Sequence, residues 1–137
     1  MPYHIVQAPD VLAIPEEQFG VAQTIQFTKF TSCIGVLAKV KGANQVIGIH
    51  LVMVGLDGSF NDGGVNAVMA VLNANNYDPT TAIILGQIAY WQTPSNGVSA
   101  SYQQLVNQLR PVQTYQLADG YYGATVDANG DIELTYQ

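Results

Sequence analysis

The chain predicts an α+β domain, a largely antiparallel β-sheet or sandwich with two helices packed on it. Three observations carry that expectation. Strand-like alternation recurs toward both ends of the sequence, two intervening stretches repeat their apolar residues at helical spacing, and turn-forming residues separate the segments throughout. With 137 residues and no internal repeat or linker, residues 1–137 read as one domain. A globule of that length buries about 68–70% of its unfolded surface and needs no metal or disulfide staple.

The elements follow in order. From Gln18 to Phe30, Val21, Ile25 and Phe27 alternate with Thr24, Gln26 and Thr28, the period of a half-buried strand. A second strand is expected from about Cys33 to Val40, and Lys41-Gly42-Ala43-Asn44 reads as a hairpin turn. Val46–Val54 returns as a strand apolar at nearly every position, hence central. Gly55–Asp62 forms a loop whose last residues suit a helix cap, and Val65, Val68, Met69 and Leu72 share one helical face. Asp57–Gly63 faintly resembles a calcium loop but has Val68 where a glutamate is needed, so the capping turn is favoured. A strand over Ala82–Trp91 comes next. Ser101 and Gln104 have capping-box spacing before a second helix, marked by Tyr102, Leu105, Val106 and Leu109 and ended by Pro111. Strands near Val112–Leu117, Tyr121–Val126 and Ile132–Tyr136 complete the chain, the last two joined by an Asp127–Gly130 turn.

Composition narrows the function. Ten acidic residues against four basic ones leave a net charge of -6, which argues against nucleic-acid and anionic-membrane partners. Net charge of this sign suits solubility, and it also suits steering toward a basic surface on a protein partner. The Met1-Pro2-Tyr3-His4-Ile5 start lacks a basic segment followed by an apolar one, and no apolar run reaches the roughly 18 residues that cross a bilayer. The expected setting is cytoplasmic, or export into a target cell without a cleavable signal. A single cysteine, Cys33, excludes an internal disulfide and a multi-thiolate zinc site. Neither a metal site nor a cofactor is expected, and no phosphate-cradling loop or serine-triad signature is present.

The candidate chemistry lies in Thr28–Val36 and Gly48–Met53. If the turn is centred between Lys41 and Gly42, Cys33 lies directly opposite His50. A turn centred one residue later leaves the two within diagonal reach. A thiol beside an imidazole makes a nucleophile and a general base, and backbone N–H groups of Ser32 and Cys33 offer an oxyanion site. Each residue also has a plainer reading. An unpaired cysteine in an apolar strand is commonly inert filler, and His50, inside Ile-His-Leu-Val-Met, suits a satisfied core position. Thr28 and Thr31 are candidates for orienting His50 or the substrate, or exposed strand threonines. Gln87, Tyr90 and Trp91 are candidates for a substrate groove, or ordinary surface and core residues.

Thr31-Ser32-Cys33-Ile34-Gly35-Val36 followed by Gly48-Ile49-His50 resembles the cysteine–histidine core of the chemoreceptor glutamine deamidases, the CheD family. The arrangement is shared more distantly by deamidating toxins of the cytotoxic necrotizing factor type and by the Burkholderia lethal factor. The resemblance covers about residues 28–54. It implies a sandwich-like fold with a single catalytic domain, Cys33 as nucleophile, His50 as base, and hydrolysis of glutamine side chains on a protein substrate, in the manner of a bacterial effector. Two positions depart from the pattern. The glycine those enzymes carry just before the nucleophile motif is replaced by Phe30-Thr31, and the threonine six places before the cysteine is replaced by Phe27, with Thr28 and Thr31 the nearest substitutes.

Within the enzyme class, a transglutaminase or a cysteine peptidase uses the same dyad. Outside it, the rival is a non-enzymatic binding or assembly module in which Cys33 is a buried structural thiol.

Overall fold

The computed structural model describes residues 3–136; Met1 and Pro2, part of the start read above as carrying no leader, lie outside the described residues, as does Gln137. The protein is α+β. Its strands are β1 (Val6–Gln7), β2 (Gln18–Ala22), β3 (Thr24–Gln26), β4 (Ile34–Val40), β5 (Val46–Leu51), β6 (Val54–Gly55), β7 (Gly58–Ser59), β8 (Tyr77–Gly86), β9 (Gln113–Gln116), β10 (Tyr122–Val126) and β11 (Ile132–Tyr136). Helix α1 spans Asp62–Ala74, α2 Ile88–Gln92 and α3 Ser99–Leu109, with a 3-10 turn at Pro94–Asn96. Among the described residues there are thus three α-helices where the sequence suggested two.

A six-stranded mixed sheet runs β1-β2-β5-β4-β8-β9, with β1–β2 and β8–β9 parallel and the other pairings antiparallel. A smaller antiparallel sheet runs β11-β10-β3. The side-chain period of two sends successive residues of the central strands into two different cores. On one face Ile34, Val36, Ile47, Ile49, Leu51 and Ile84 pack with Val65, Val68 and Leu72 of α1 and Leu105 of α3. On the other, Leu37, Val46 and Leu85 pack with Ile25, Phe27, Phe30, Ala124 and Val126 from the region of the small sheet. Both faces of β5 are covered, which explains why it is apolar at every position but His50.

Several boundaries differ from expectation. The alternating Gln18–Phe30 segment is two strands, not one: after Ala22 the chain turns at Gln23 and passes from the large sheet to the small one. Alternation survives because both halves bury one face, so periodicity alone does not show the corner. The Val46–Val54 strand likewise stops at Leu51, and Val54 begins a short ribbon with β7. The Ala82–Trp91 strand begins earlier, at Tyr77, and ends at Gly86, whose φ of +121° terminates it. Ile88 and Trp91 are instead buried one helical turn apart on α2.

Asn61 caps α1 as expected, its Oδ1 accepting from the Gly64 N–H at 3.1 Å. The Ser101–Gln104 capping box does not form. Helix α3 starts at Ser99, and its cap position is held by buried Val98 without a side-chain hydrogen bond. Packing of Val98 outweighs the local capping signal. The final hairpin is built as read, with Asp127 Oδ1 accepting from the Asn129 and Asp131 N–H groups and Gly130 at φ +81°.

Candidate functional site

The β4–β5 hairpin determines which residues meet. Val40 N–H donates to Gln45 O, and the register places Gly35 opposite His50 and Ile34 opposite Leu51. The turn is therefore centred one residue later than the direct pairing of Cys33 with His50 requires. Cys33 sits just before β4, two residues from Gly35 and diagonal to His50, on the same side of the sheet. Glycine is needed behind this face. A Cβ on Gly48 would stand 2.6 Å from Ile25 Cδ1 and 3.1 Å from Phe27 Cζ, so its absence lets the small sheet close onto β5.

His50 is wholly buried and packs against Phe27 and Phe30, with ring centroids 5.6 Å and 4.8 Å away. Its Nδ1 lies 2.8 Å from the Ile14 carbonyl oxygen. A carbonyl only accepts, so Nδ1 carries the proton and Nε2 holds the free lone pair. That Nε2 is buried with no hydrogen-bond partner. Burial depresses the imidazole pKa to about 4 despite the Ile14 bond. Thr28 joins this arrangement indirectly: its backbone N–H, at 2.9 Å, and its hydroxyl, at 3.4 Å, also donate to Ile14 O. The group that orients the ring is therefore a main-chain carbonyl, which carries no residue-type signature.

Cys33 is also wholly buried. Its Sγ is 3.3 Å from Thr31 O and 3.9 Å from Glu16 Oε1. Thr31 thus contributes its main-chain oxygen, and its side chain is exposed. Burial pushes the thiol up to about 11, and the negative charges of Glu16 and Asp119 add to this. At rest the pair is a neutral thiol beside a neutral imidazole.

The segment before the sulfur is tightly held. Ser32 takes φ +61°, a left-handed conformation uncommon for a residue with a side chain. Its N–H donates to Asp119 Oδ1 at 2.8 Å, and its carbonyl accepts from Trp91 Nε1 at 3.0 Å. The Ser32 N–H expected to serve an oxyanion is therefore occupied, leaving the Cys33 N–H as the candidate donor. Gln87 N–H donates to Cys33 O at 3.0 Å, and Gln87 Nε2 reaches Asp119 Oδ1 at 3.2 Å. Gln87 and buried Trp91 accordingly support the cysteine segment. Tyr90, 46% exposed on α2, enters none of these hydrogen bonds.

Glu16 and Asp119 are the participants that sequence reasoning missed. Glu16 lies 17 positions before Cys33 in an irregular segment, and Asp119 lies in a loop before β10; neither falls in a motif. Glu16 is exposed, and its carboxylate, Cys33 Sγ and a His50 ring nitrogen all lie within 4.8 Å of one another. Two clefts flank the cluster. One, about 200 Å³, has Glu16, Glu17, Gln18 and Leu56 in its wall. The other, about 620 Å³, is lined by Leu12, Gln26, Phe27, Thr28, Lys29 and Tyr121, of which Phe27 packs on the His50 ring and Thr28 donates to the Ile14 carbonyl oxygen.

The chain matches no protein-family model and no curated protein sequence. Among the described residues, no helix is long and apolar enough to cross a membrane.

Proposed function

We propose that the protein is a cysteine-dependent hydrolase of carboxamides, and specifically a deamidase of protein glutamine side chains in the manner of the CheD family. The observation that carries this reading is the buried His50 ring, held through Nδ1 with Nε2 unpartnered, one nitrogen of which lies within 4.8 Å of the sulfur of the only thiol in the chain. A base must be oriented by a further group before it can take a proton in one direction, and Ile14 O supplies that.

The chemistry balances with water alone. Substrate displaces the Glu16 carboxylate from Sγ, and Nε2 takes the thiol proton as sulfur attacks the carboxamide carbon. The oxyanion meets the Cys33 N–H. Collapse breaks the C–N bond, Nε2–H protonates the leaving ammonia, and a thioester remains. Water, deprotonated by Nε2, cleaves it to a carboxylate and regenerates the thiol. A transglutaminase would replace that water by an amine, and a peptidase would release an amine from the main chain.

Complete burial of Cys33 and His50 favours a second reading, a non-enzymatic binding module with a structural thiol. Iodoacetamide kinetics at neutral pH, on the native chelator-treated protein, separate the two. The hydrolase reading expects native labelling at least tenfold slower in His50→Ala than in wild type, together with ammonia release from glutamine-containing proteins that Cys33→Ala abolishes. Labelling only after denaturation, or a native rate indifferent to His50, rejects it in favour of the binding module.

A further inference from the structure

We infer that Glu16, Cys33 and His50 form a binding site for a thiophilic divalent cation of the zinc class, with further coordination available on the solvent side beside Glu16. The inference competes with the hydrolase reading for the same sulfur and nitrogen and does not depend on it.

Four observations converge. The three residues bring a thiol, an imidazole nitrogen and a carboxylate oxygen within 4.8 Å of one another. Tetrahedral zinc, with bonds of about 2.3 Å to sulfur and about 2.0–2.2 Å to nitrogen and oxygen, separates such ligands by about 3.3–3.7 Å. The 3.9 Å between Sγ and Glu16 Oε1 is close to that spacing. Closing the widest separation asks for a contraction of no more than about 1.5 Å, and Glu16 is an exposed side chain free to turn.

Second, His50 Nε2 is a buried acceptor with no protein partner, while Nδ1–H is bound to a backbone carbonyl. That is the usual arrangement of a metal-ligating histidine, in which the outer hydrogen bond sets the tautomer and raises ligand basicity. An imidazole lone pair enclosed without a donor is costly, and a cation resolves it.

Third, the electrostatics suit a cation better than a bare thiolate. Asp119 accepts from the Ser32 N–H and Glu16 reaches the sulfur, so two carboxylates surround a group that must lose a proton to bind metal. Fourth, the donor set of thiolate, imidazole and carboxylate selects zinc-class ions over magnesium or calcium, which take oxygen ligands. On binding, the Cys33 S–H bond breaks, the proton leaves to water, and sulfur and Nε2 donate their electron pairs to the ion. Both partners of the dyad are then occupied, so cation and carboxamide exclude one another.

The test is a cobalt titration of the full chain, reduced and freed of metal beforehand. Wild type is expected to bind one Co²⁺ with a thiolate-to-cobalt absorption band, displaced one for one by Zn²⁺ and unaffected by excess Mg²⁺. Glu16→Gln alters only an exposed side chain and should weaken binding at least tenfold, while Cys33→Ser and His50→Gln remove the band. Absence of a thiolate band in wild type, or equal affinity in Glu16→Gln, overturns the site even where Cys33→Ser fails to fold. The same variant separates the two readings. The dyad has no need of the Glu16 carboxylate, so Glu16→Gln should label faster with iodoacetamide while losing cobalt. Loss of cobalt binding in wild type with labelling still dependent on His50 removes the metal site alone. Cobalt binding with labelling indifferent to His50 removes the hydrolase alone.

Discussion

Cys33 and His50 are each held in their neutral form, and this makes stability depend on pH from two sides. The folded imidazole, at about 4 against an ordinary 6.5, resists a proton that the unfolded chain accepts. Its contribution is complete above pH 6.5 and is lost as pH falls toward 4, about 3 kcal/mol over that window. The thiol, at about 11 against 9, acts in the opposite direction. Its contribution is complete below pH 9 and is lost as pH rises toward 11. Urea midpoints measured in chelator should therefore form a plateau between pH 6.5 and 9, and His50→Gln should flatten the acid limb. An acid limb as steep in that variant as in wild type would show that other groups carry it. Both side chains were legible in the sequence as a pair, because a hairpin places its own residues. Glu16 was not, since no local pattern ties an acidic residue in an irregular segment to a cysteine 17 positions later.

At the scale of elements, the pair depends on close approaches that only glycine permits. Gly86 ends β8 at φ +121°, and a Cβ there would collide with the Cys33 carbonyl oxygen and stand 2.9 Å from Ile34 Cα. Both neighbours are backbone, so neither yields easily. Gly86→Ala should cost about 2–4 kcal/mol in urea unfolding and accelerate native alkylation of Cys33. Asn61→Ala provides the contrast. It removes the α1 cap for about 1 kcal/mol, and Cys33 should label at the wild-type rate because α1 packs on the opposite face of the sheet. The hairpins were readable because turn residues and alternation are local. Helix α2 was not, because five residues between Gly86 and Pro94 carry too little periodicity to distinguish one helical turn from the end of a strand.

Across the whole molecule, three layers converge on one segment. The large sheet carries Cys33 and His50 toward the small sheet, whose side encloses the imidazole with Phe27 and Phe30. From the other side, Trp91 reaches Ser32 O with its indole N–H at 3.0 Å. Trp91→Phe keeps the buried ring and removes that bond. It should cost about 1–2 kcal/mol and raise the exchange rate of the Ser32 and Cys33 amides more than those of β10. Uniform acceleration across the protein would mean that the bond stabilises the fold without positioning the cysteine segment.

What belonged to the sequence alone was the α+β class, most strand and helix positions, and the meeting of thiol with imidazole. Each of these depends on periodicity or on a single turn, interactions spanning fewer than about twenty residues. Only the tertiary structure decided the rest. The corner at Gln23, the Ile14 carbonyl behind His50, the Glu16 carboxylate over the sulfur and the Asp119 acceptor under Ser32 are brought together by packing two sheets and a helical layer. Such contacts arise from apolar burial, which has no direction along the chain and leaves no local trace of which polar group it will bring alongside another.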